Sequence, residues 1–167
     1  DKIIARLRNQ QYTAKNSIIR PEKFGVDVVI HPEKAACEEI IRLVHHPYAV
    51  QAMEFEGGRL IMLGINISKA TLDITGTSLS KLVKLVAYKA QFRFGVVAVL
   101  RGQDTIVPQA YFEFQDGDIA YFIVKSTDVG ELMTFLGREV NEVKRVMIIG
   151  GSKMGRSLAK DLPNEDI

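Results

Sequence analysis

The assignment of this chain to the α/β class rests on Arg145-Val146-Met147-Ile148-Ile149-Gly150-Gly151-Ser152-Lys153-Met154-Gly155. A β-branched apolar run leads straight into a glycine-bearing turn. An amphipathic segment follows, Lys153 to Leu162, with Met154, Leu158 and Leu162 on one side. Strand, glycine turn and helix in that order open a dinucleotide-binding fold. The first glycine permits the tight turn, the next lets backbone approach a pyrophosphate, and the last lets helix and strand pack closely. The helix N-terminus then offers free N–H groups and a positive dipole end to phosphate. Gly150, Gly151 and Gly155 are therefore candidate cofactor-binding residues. Ser152 stands where the second glycine belongs, and its Cβ crowds the phosphate position. The ribose-reading acid expected about 20 residues further on lies past Ile167. The turn is accordingly expected to be structural here, with nothing bound by this stretch alone.

Toward the N-terminus the same parallel pattern recurs. Ile3, Ile4, Ala5 and Leu7 read as a short buried strand and Val26 to Ile30 as a second, with a short crossover helix expected within Thr13 to Phe24. The chain opens at Asp1-Lys2-Ile3 as though in mid-strand, and no signal peptide is expected. A helix should begin at Pro32 and stop before Pro47. Its apolar positions, Ala36, Cys37, Ile40, Ile41, Leu43 and Val44, form a wide stripe, which predicts packing against two neighbours. Arg6 and Arg8 stand two apart at the carboxyl end of the first strand, the edge at which open α/β sheets bind ligands, so both are candidate phosphate-facing residues.

The intervening stretch reads as α+β. Gly57-Gly58 between Glu54-Phe55-Glu56 and Arg59 to Ile67 signals a two-residue hairpin. In the longer strand Ile61, Leu63, Ile65 and Ile67 fall on one face. Leu79, Leu82, Val83, Val86 and Ala90 repeat at helical spacing after a cap at Thr77 or Ser78. Strands are expected at Phe94 to Arg101, Thr105 to Val107, Tyr111 to Phe114 and Ile119 to Lys125, and a helix near Asp128 to Leu136. A unit this small is marginal alone, so pairing with a second copy is expected.

Composition narrows the function. Of 167 residues 47% are apolar and 25% charged, the profile of a globular protein with a core. A net charge of +2 without long like-charge runs gives no nucleic-acid signature. No run approaches the roughly 18 to 20 apolar residues of a membrane helix, and the single Cys37 fits a reducing, cytosolic setting. His45 and His46 are adjacent and lack partners at ligand spacing, so they read as solvated helix-end residues and no metal site is expected. Glu38-Glu39, Asp116, Asp118 and Glu131 read as scattered acids, and no catalytic residue is assigned.

Three blocks resemble the TrkA-like regulatory subunits of Trk potassium uptake systems, built from RCK repeats. Ile4-Ala5-Arg6-Leu7-Arg8-Asn9-Gln10-Gln11-Tyr12 with Phe24-Gly25-Val26-Asp27-Val28-Val29-Ile30-His31-Pro32-Glu33 resembles the end of an RCK N-terminal domain. Phe94 to Arg101, Val107-Pro108 and Gly117-Asp118-Ile119-Ala120-Tyr121-Phe122 resemble the C-terminal subdomain. Val143 to Gly151 resembles the start of a second repeat. The resemblance implies an α/β with α+β architecture: residues 1–47 as the end of a Rossmann-like RCK N-terminal domain, 48–136 as a complete RCK C-terminal (TrkA-C) domain, and 137–167 as the start of a second N-terminal domain.

The resemblance further implies a cytoplasmic, ligand-sensing and non-enzymatic subunit. It would form dimers or rings held at the inner membrane face by a potassium-translocating partner. NAD(H), ATP or ADP would bind the full-length protein near Arg6 and Arg8, and an effector such as cyclic di-AMP the C-terminal dimer interface. Two other readings compete: a fragment of an NAD-dependent oxidoreductase using Gly150 to Gly155, and the effector-binding tail of a cation/proton antiporter. Strand order in dinucleotide folds also predicts that Val146 to Ile149 pairs with Ile3 to Leu7.

Overall fold

The computed structural model describes residues 1–8, 20–68, 74–89, 92–138 and 143–162. In chain order these carry β1 (Ile4–Arg6), a 3-10 turn (Pro21–Phe24), β2 (Val28–Ile30), α1 (Pro32–His45), β3 (Gln51–Phe55) and β4 (Leu60–Asn66). There follow α2 (Leu79–Lys89), β5 (Phe94–Arg101), β6 (Asp104–Ile106), β7 (Ile119–Lys125), α3 (Val129–Phe135) and α4 (Lys153–Asp161). Two compact units result. One joins Asp1–Ile41 with Lys144–Ile167; the other is Arg42–Val143.

In the first unit β1 and β2 form a two-stranded parallel sheet, Ile4 opposite Val28 and Arg6 opposite Ile30. Backbone bonds from Asp27 N to Ile3 O and from Leu7 N to Ile30 O extend the ladder at both ends. Ile4, Val28 and Ile30 share a solvent-exposed face, unusual for parallel strands, which are ordinarily covered on both sides. Cys37 of α1 is buried with its Sγ 3.8 Å from the Met154 carbonyl oxygen of α4, and Leu158 and Leu162 of the α4 segment are buried too. The wide stripe expected on α1 is only partly covered: Cys37 is its one buried residue, and Ile40 is exposed.

The expected pairing of Val146 to Ile149 with Ile3 to Leu7 is not realised. Among the described residues β1 pairs with β2, and positions 146–149 form no strand, with Met147 and Ile149 at 86% and 91% exposure. A β-branched run signals a strand destined for burial, but the ladder forms only where neighbours supply N–H and C=O groups. The crossover helix expected within Thr13 to Phe24, ending near Arg20-Pro21, falls largely outside the described residues, and a 3-10 turn spans Pro21–Phe24.

The second unit is an antiparallel five-stranded sheet in the order β3-β4-β7-β5-β6. The alternation of β4 holds: Ile61, Leu63, Ile65 and Ile67 are all buried. Opposite them in register stand Val124, Phe122 and Ala120 of β7, also buried. Leu82 and Val86 of α2 with Leu132 and Met133 of α3 close over this face to complete one apolar core. Burying each such side chain contributes about 1.5 to 3 kcal/mol, so this face holds the unit together. The opposite face is also apolar but half open, with Met53, Phe55 and Val97 exposed and Met62, Tyr121 and Ile123 intermediate. Gly64 lets Tyr121 lie close across that face, since a Cβ there would sit 3.1 Å from Tyr121 Cε1.

Two local expectations are corrected. The β3–β4 connection is not a two-residue turn: Phe55 pairs with Leu60, leaving Glu56 to Arg59 as the loop. Glu56, Gly57 and Gly58 all adopt positive φ there. The Arg59 guanidinium holds Glu56 through its carboxylate at 2.8 Å, and Ser126 Oγ donates to Gly58 O. Tyr111 to Phe114 is not a strand but carries isolated bridges, Thr75 to Phe114 and Ser78 to Glu113. Its carbonyls are committed elsewhere: Phe112 O accepts from Leu79 N and Ala110 O from Ser80 N, at 2.9 Å each. The first donors of α2 are thus satisfied by a loop rather than by a side-chain cap.

Candidate functional site

The register of β5 on β7 sets Leu100 opposite Ile119, which brings Arg101 and Asp118 together at the ends of the two strands. Arg101 Nε donates to Asp118 Oδ1 and its Nη2 to Oδ2, both at 2.8 Å. This is the bidentate fork that guanidinium geometry favours. Asp118 is 1% exposed, whereas the Arg101 side chain remains about a third exposed. Burial pushes the Asp118 carboxyl up, but the Arg101 hydrogen bonds, the Gln115 N–H at 2.9 Å and the Arg101 charge together hold it below the usual range. The same bond to Asp118 raises Arg101. Asp118 is therefore not the scattered turn acid that the sequence suggested.

The fork organises the segment between β6 and β7. Arg101 Nη2 also donates to Glu113 O at 3.0 Å, and its guanidinium lies 5.1 Å from the Phe112 ring centroid. Phe112 in turn meets Phe114, buried in the core, edge-to-face at 5.5 Å. Between these anchors Val107 and Tyr111 project into solvent at 76% and 87% exposure. An apolar tip on a charged, buried foundation is suited to contact with a partner or a small ligand.

A second polar cluster lies at the start and end of the same unit. His46 Nδ1 is 2.8 Å from Tyr48 Oη, and the rings meet edge-to-face. His46 is thus half-buried rather than a solvated helix-end residue, and burial lowers its pKa, aided by His45 and opposed by Glu54. Burial raises the Tyr48 phenol. Arg138 Nη1 donates to Tyr48 O at 3.2 Å and its Nη2 to Asn66 O. Desolvation lowers the Arg138 guanidinium.

The five residues picked from sequence fall in the first unit. Arg6 lies in β1 and Arg8 just beyond it, both exposed. Gly150 has φ +115°, and Gly150 and Gly151 are exposed. Gly155 is enforced by packing: a Cβ there would stand 2.3 Å from Gly150 O and 3.3 Å from Ile148 Cγ2. That is the close helix approach which the last glycine of a dinucleotide turn permits. Ser152 caps α4, its Oγ accepting from Gly155 N at 3.4 Å. One donor that a phosphate would use is therefore engaged by Ser152. The turn matches the dinucleotide-turn pattern in its first and last glycines and departs from that pattern at Ser152. Among the described residues no group of three or more His, Cys, Asp or Glu side chains could hold a metal ion. No described helix is long and apolar enough to cross a membrane.

Sequence reasoning missed Arg101 and Arg138. The signal for Arg101 was the Gly117-Asp118 turn, which places an acid at the start of an apolar strand beside a strand ending in arginine. Arg138 acts on backbone carbonyls, which leave no signature in composition or spacing.

No family model matches the chain. It is 29% identical over 159 residues to the Trk system potassium uptake protein TrkA of Halomonas elongata, covering 95% of this chain and 34% of that protein. It is 30% identical over 164 residues to the TrkA of Haemophilus influenzae, covering 96% and 34%. The chain thus spans about a third of the length of the curated relatives it matches. Among solved structures it is similar to the GsuK Channel, with a TM-score of 0.52 at 14% identity, over 97% of this chain and 27% of that one. Over nearly all of its length, then, the chain resembles one third of a TrkA-type potassium uptake protein, and it carries the RCK-type α/β fold which that likeness predicts.

Proposed function

We propose that this chain is the central stretch of a cytosolic regulatory subunit that senses a ligand and controls potassium uptake through a membrane Trk- or Ktr-type partner. The observation that carries the reading is the likeness to proteins named for potassium uptake along 95% of this chain. The three-part division into residues 1–47, 48–136 and 137–167 belongs to the same reading. The relatives are named as uptake proteins rather than enzymes, and no catalytic role is proposed for any residue.

In the whole protein Arg6 and Arg8 would face the phosphates of a nucleotide, NAD(H) or ATP/ADP, and Gly150, Gly151 and Gly155 would support a second such site. The exposed face of Ile4, Val28 and Ile30 supports this division, because parallel sheets are completed on both faces. This stretch alone is proposed to bind no nucleotide in its flanking segments. The half-open sheet face around Met53, Phe55 and Val97 would pair with a second copy, with a small effector such as cyclic di-AMP at that dimer interface. A ligand can bias the partner only by its difference in affinity between two states of the assembly.

Calorimetry of the full-length protein and of this chain, with ATP, ADP, NADH and cyclic di-AMP, tests the reading. The expected result is saturable binding of ATP, ADP or NADH by the full-length protein but of none of these three by this chain, cyclic di-AMP binding by both, and dimers of this chain by light scattering. Turnover of NADH with a hydroxy-acid or alcohol panel would overturn it, as would a full-length protein that binds none of the four ligands.

A further inference from the structure

The chain passes between its two units twice, at Ile41/Arg42 and at Val143/Lys144. Tyr48 lies shortly after the first passage and Arg138 shortly before the second, both within the unit Arg42–Val143. We propose that Arg138 is a latch that joins these two lengths of chain into one mechanical element, so that motion entering along either is delivered to both.

The geometry makes Arg138 suited to this. Its Nη1 donates to Tyr48 O on the incoming length, and its Nη2 to Asn66 O at the end of β4. One planar side chain thus spans two backbone segments far apart in sequence, and the fork is pre-organised for such a span. Arg138 is itself held firmly. Leu136 and Gly137 end α3 with Gly137 N bonded to Thr134 O and Arg138 N to Met133 O, the paired closure of a Schellman motif. Met133 and Leu132 lie in the core.

The incoming length is held just as specifically. Ala49 N bonds to His46 O and Val50 N to Gly64 O, while the Tyr48 phenol engages His46. Remove the guanidinium, and the segments 46–50 and 136–138 keep their own local bonds and their packing on the core but lose the hydrogen bond between Arg138 and Tyr48 O.

Hydrogen exchange on the whole chain, comparing the native protein with Arg138→Met, tests the latch. The expected result is a rise of about tenfold or more at Ala49, Val50, Gly137 and Arg138 together, consistent with loss of a bond set of about 1.4 kcal/mol. Amides of the β4–β7 ladder, Ile61 to Ile65 and Ala120 to Val124, should keep their protection. Arg138→Gln, polar but too short to span both carbonyls, should give the same pattern and serves if the methionine variant folds poorly. Unchanged exchange at Ala49 and Val50 in a folded variant would overturn the proposal. So would an equal rise throughout the β4–β7 ladder, which would make Arg138 a general stabiliser of the unit.

Discussion

Gly155→Ala should destabilise the first unit by about 1 to 2 kcal/mol, read as a lower urea midpoint and faster hydrogen exchange along α4. Two effects oppose each other. In an exposed helix, alanine for glycine would stabilise by about 1 kcal/mol. Here the new Cβ would stand 2.3 Å from Gly150 O, a backbone atom with no rotamer to change, and 3.3 Å from Ile148 Cγ2. Relief requires α4 to move away from the turn, at the overpacking cost of about 1 to 3 kcal/mol or more. It would also draw Met154 away from Cys37 and disturb buried Leu158. The clash wins. A variant as stable as the native chain would mean that the turn and α4 are not packed in this way.

Arg101→Met should cost about 3 kcal/mol in the second unit, because it strands a buried carboxylate. Once both Arg101 bonds are gone, Asp118 keeps the Gln115 N–H as a donor to its carboxylate. Asp118→Asn should cost less, since an amide needs no counter-charge, and the double variant should recover part of the Arg101→Met loss. Acid unfolding distinguishes these effects. Asp118 has a folded-state pKa below its ordinary value, so its stabilisation is fully present above the unfolded carboxylate range, near about 4, and is lost as pH falls toward the folded value. The native chain should therefore weaken below about pH 4 more steeply than Asp118→Asn. Superposable acid limbs would show that the fork contributes nothing to the fold. Loosening of the Arg101–Asp118 fork should also free Phe112 and the α2 N-terminus, since Leu79 and Ser80 bond to the loop it holds.

Much of the second unit was legible in the sequence because antiparallel strands with one buried face announce themselves by alternation. The strands at Phe94 to Arg101 and Ile119 to Lys125 appear with the bounds expected, and β4 buries the face expected of it. Tyr111 to Phe114 misled for a physical reason: its alternating aromatics pack inward as a strand's would, but its carbonyls close the start of α2. Gly57-Gly58 likewise signals a turn without fixing its length, which depends on the Phe55–Leu60 register. Apolar content alone could not show whether Val146 to Ile149 finds a neighbour. The turn glycines were readable because Gly155 answers a close backbone approach, a requirement that residue type records directly. Asp118 was visible as an acid and Arg101 as a turn residue, yet their pairing depends on the register of two strands. Arg138 lies deeper still, since what it holds is main chain.

Potassium control is the central claim, and rubidium uptake by cells tests it most directly. Cells lacking their own TrkA-type protein would receive the full-length protein containing this chain, together with its membrane partner. The account predicts that uptake rises several-fold over the membrane partner alone and that the gain is lost with Arg101→Met at matched expression. Uptake no different from that of the membrane partner alone, with the full-length protein present and folded, would contradict it.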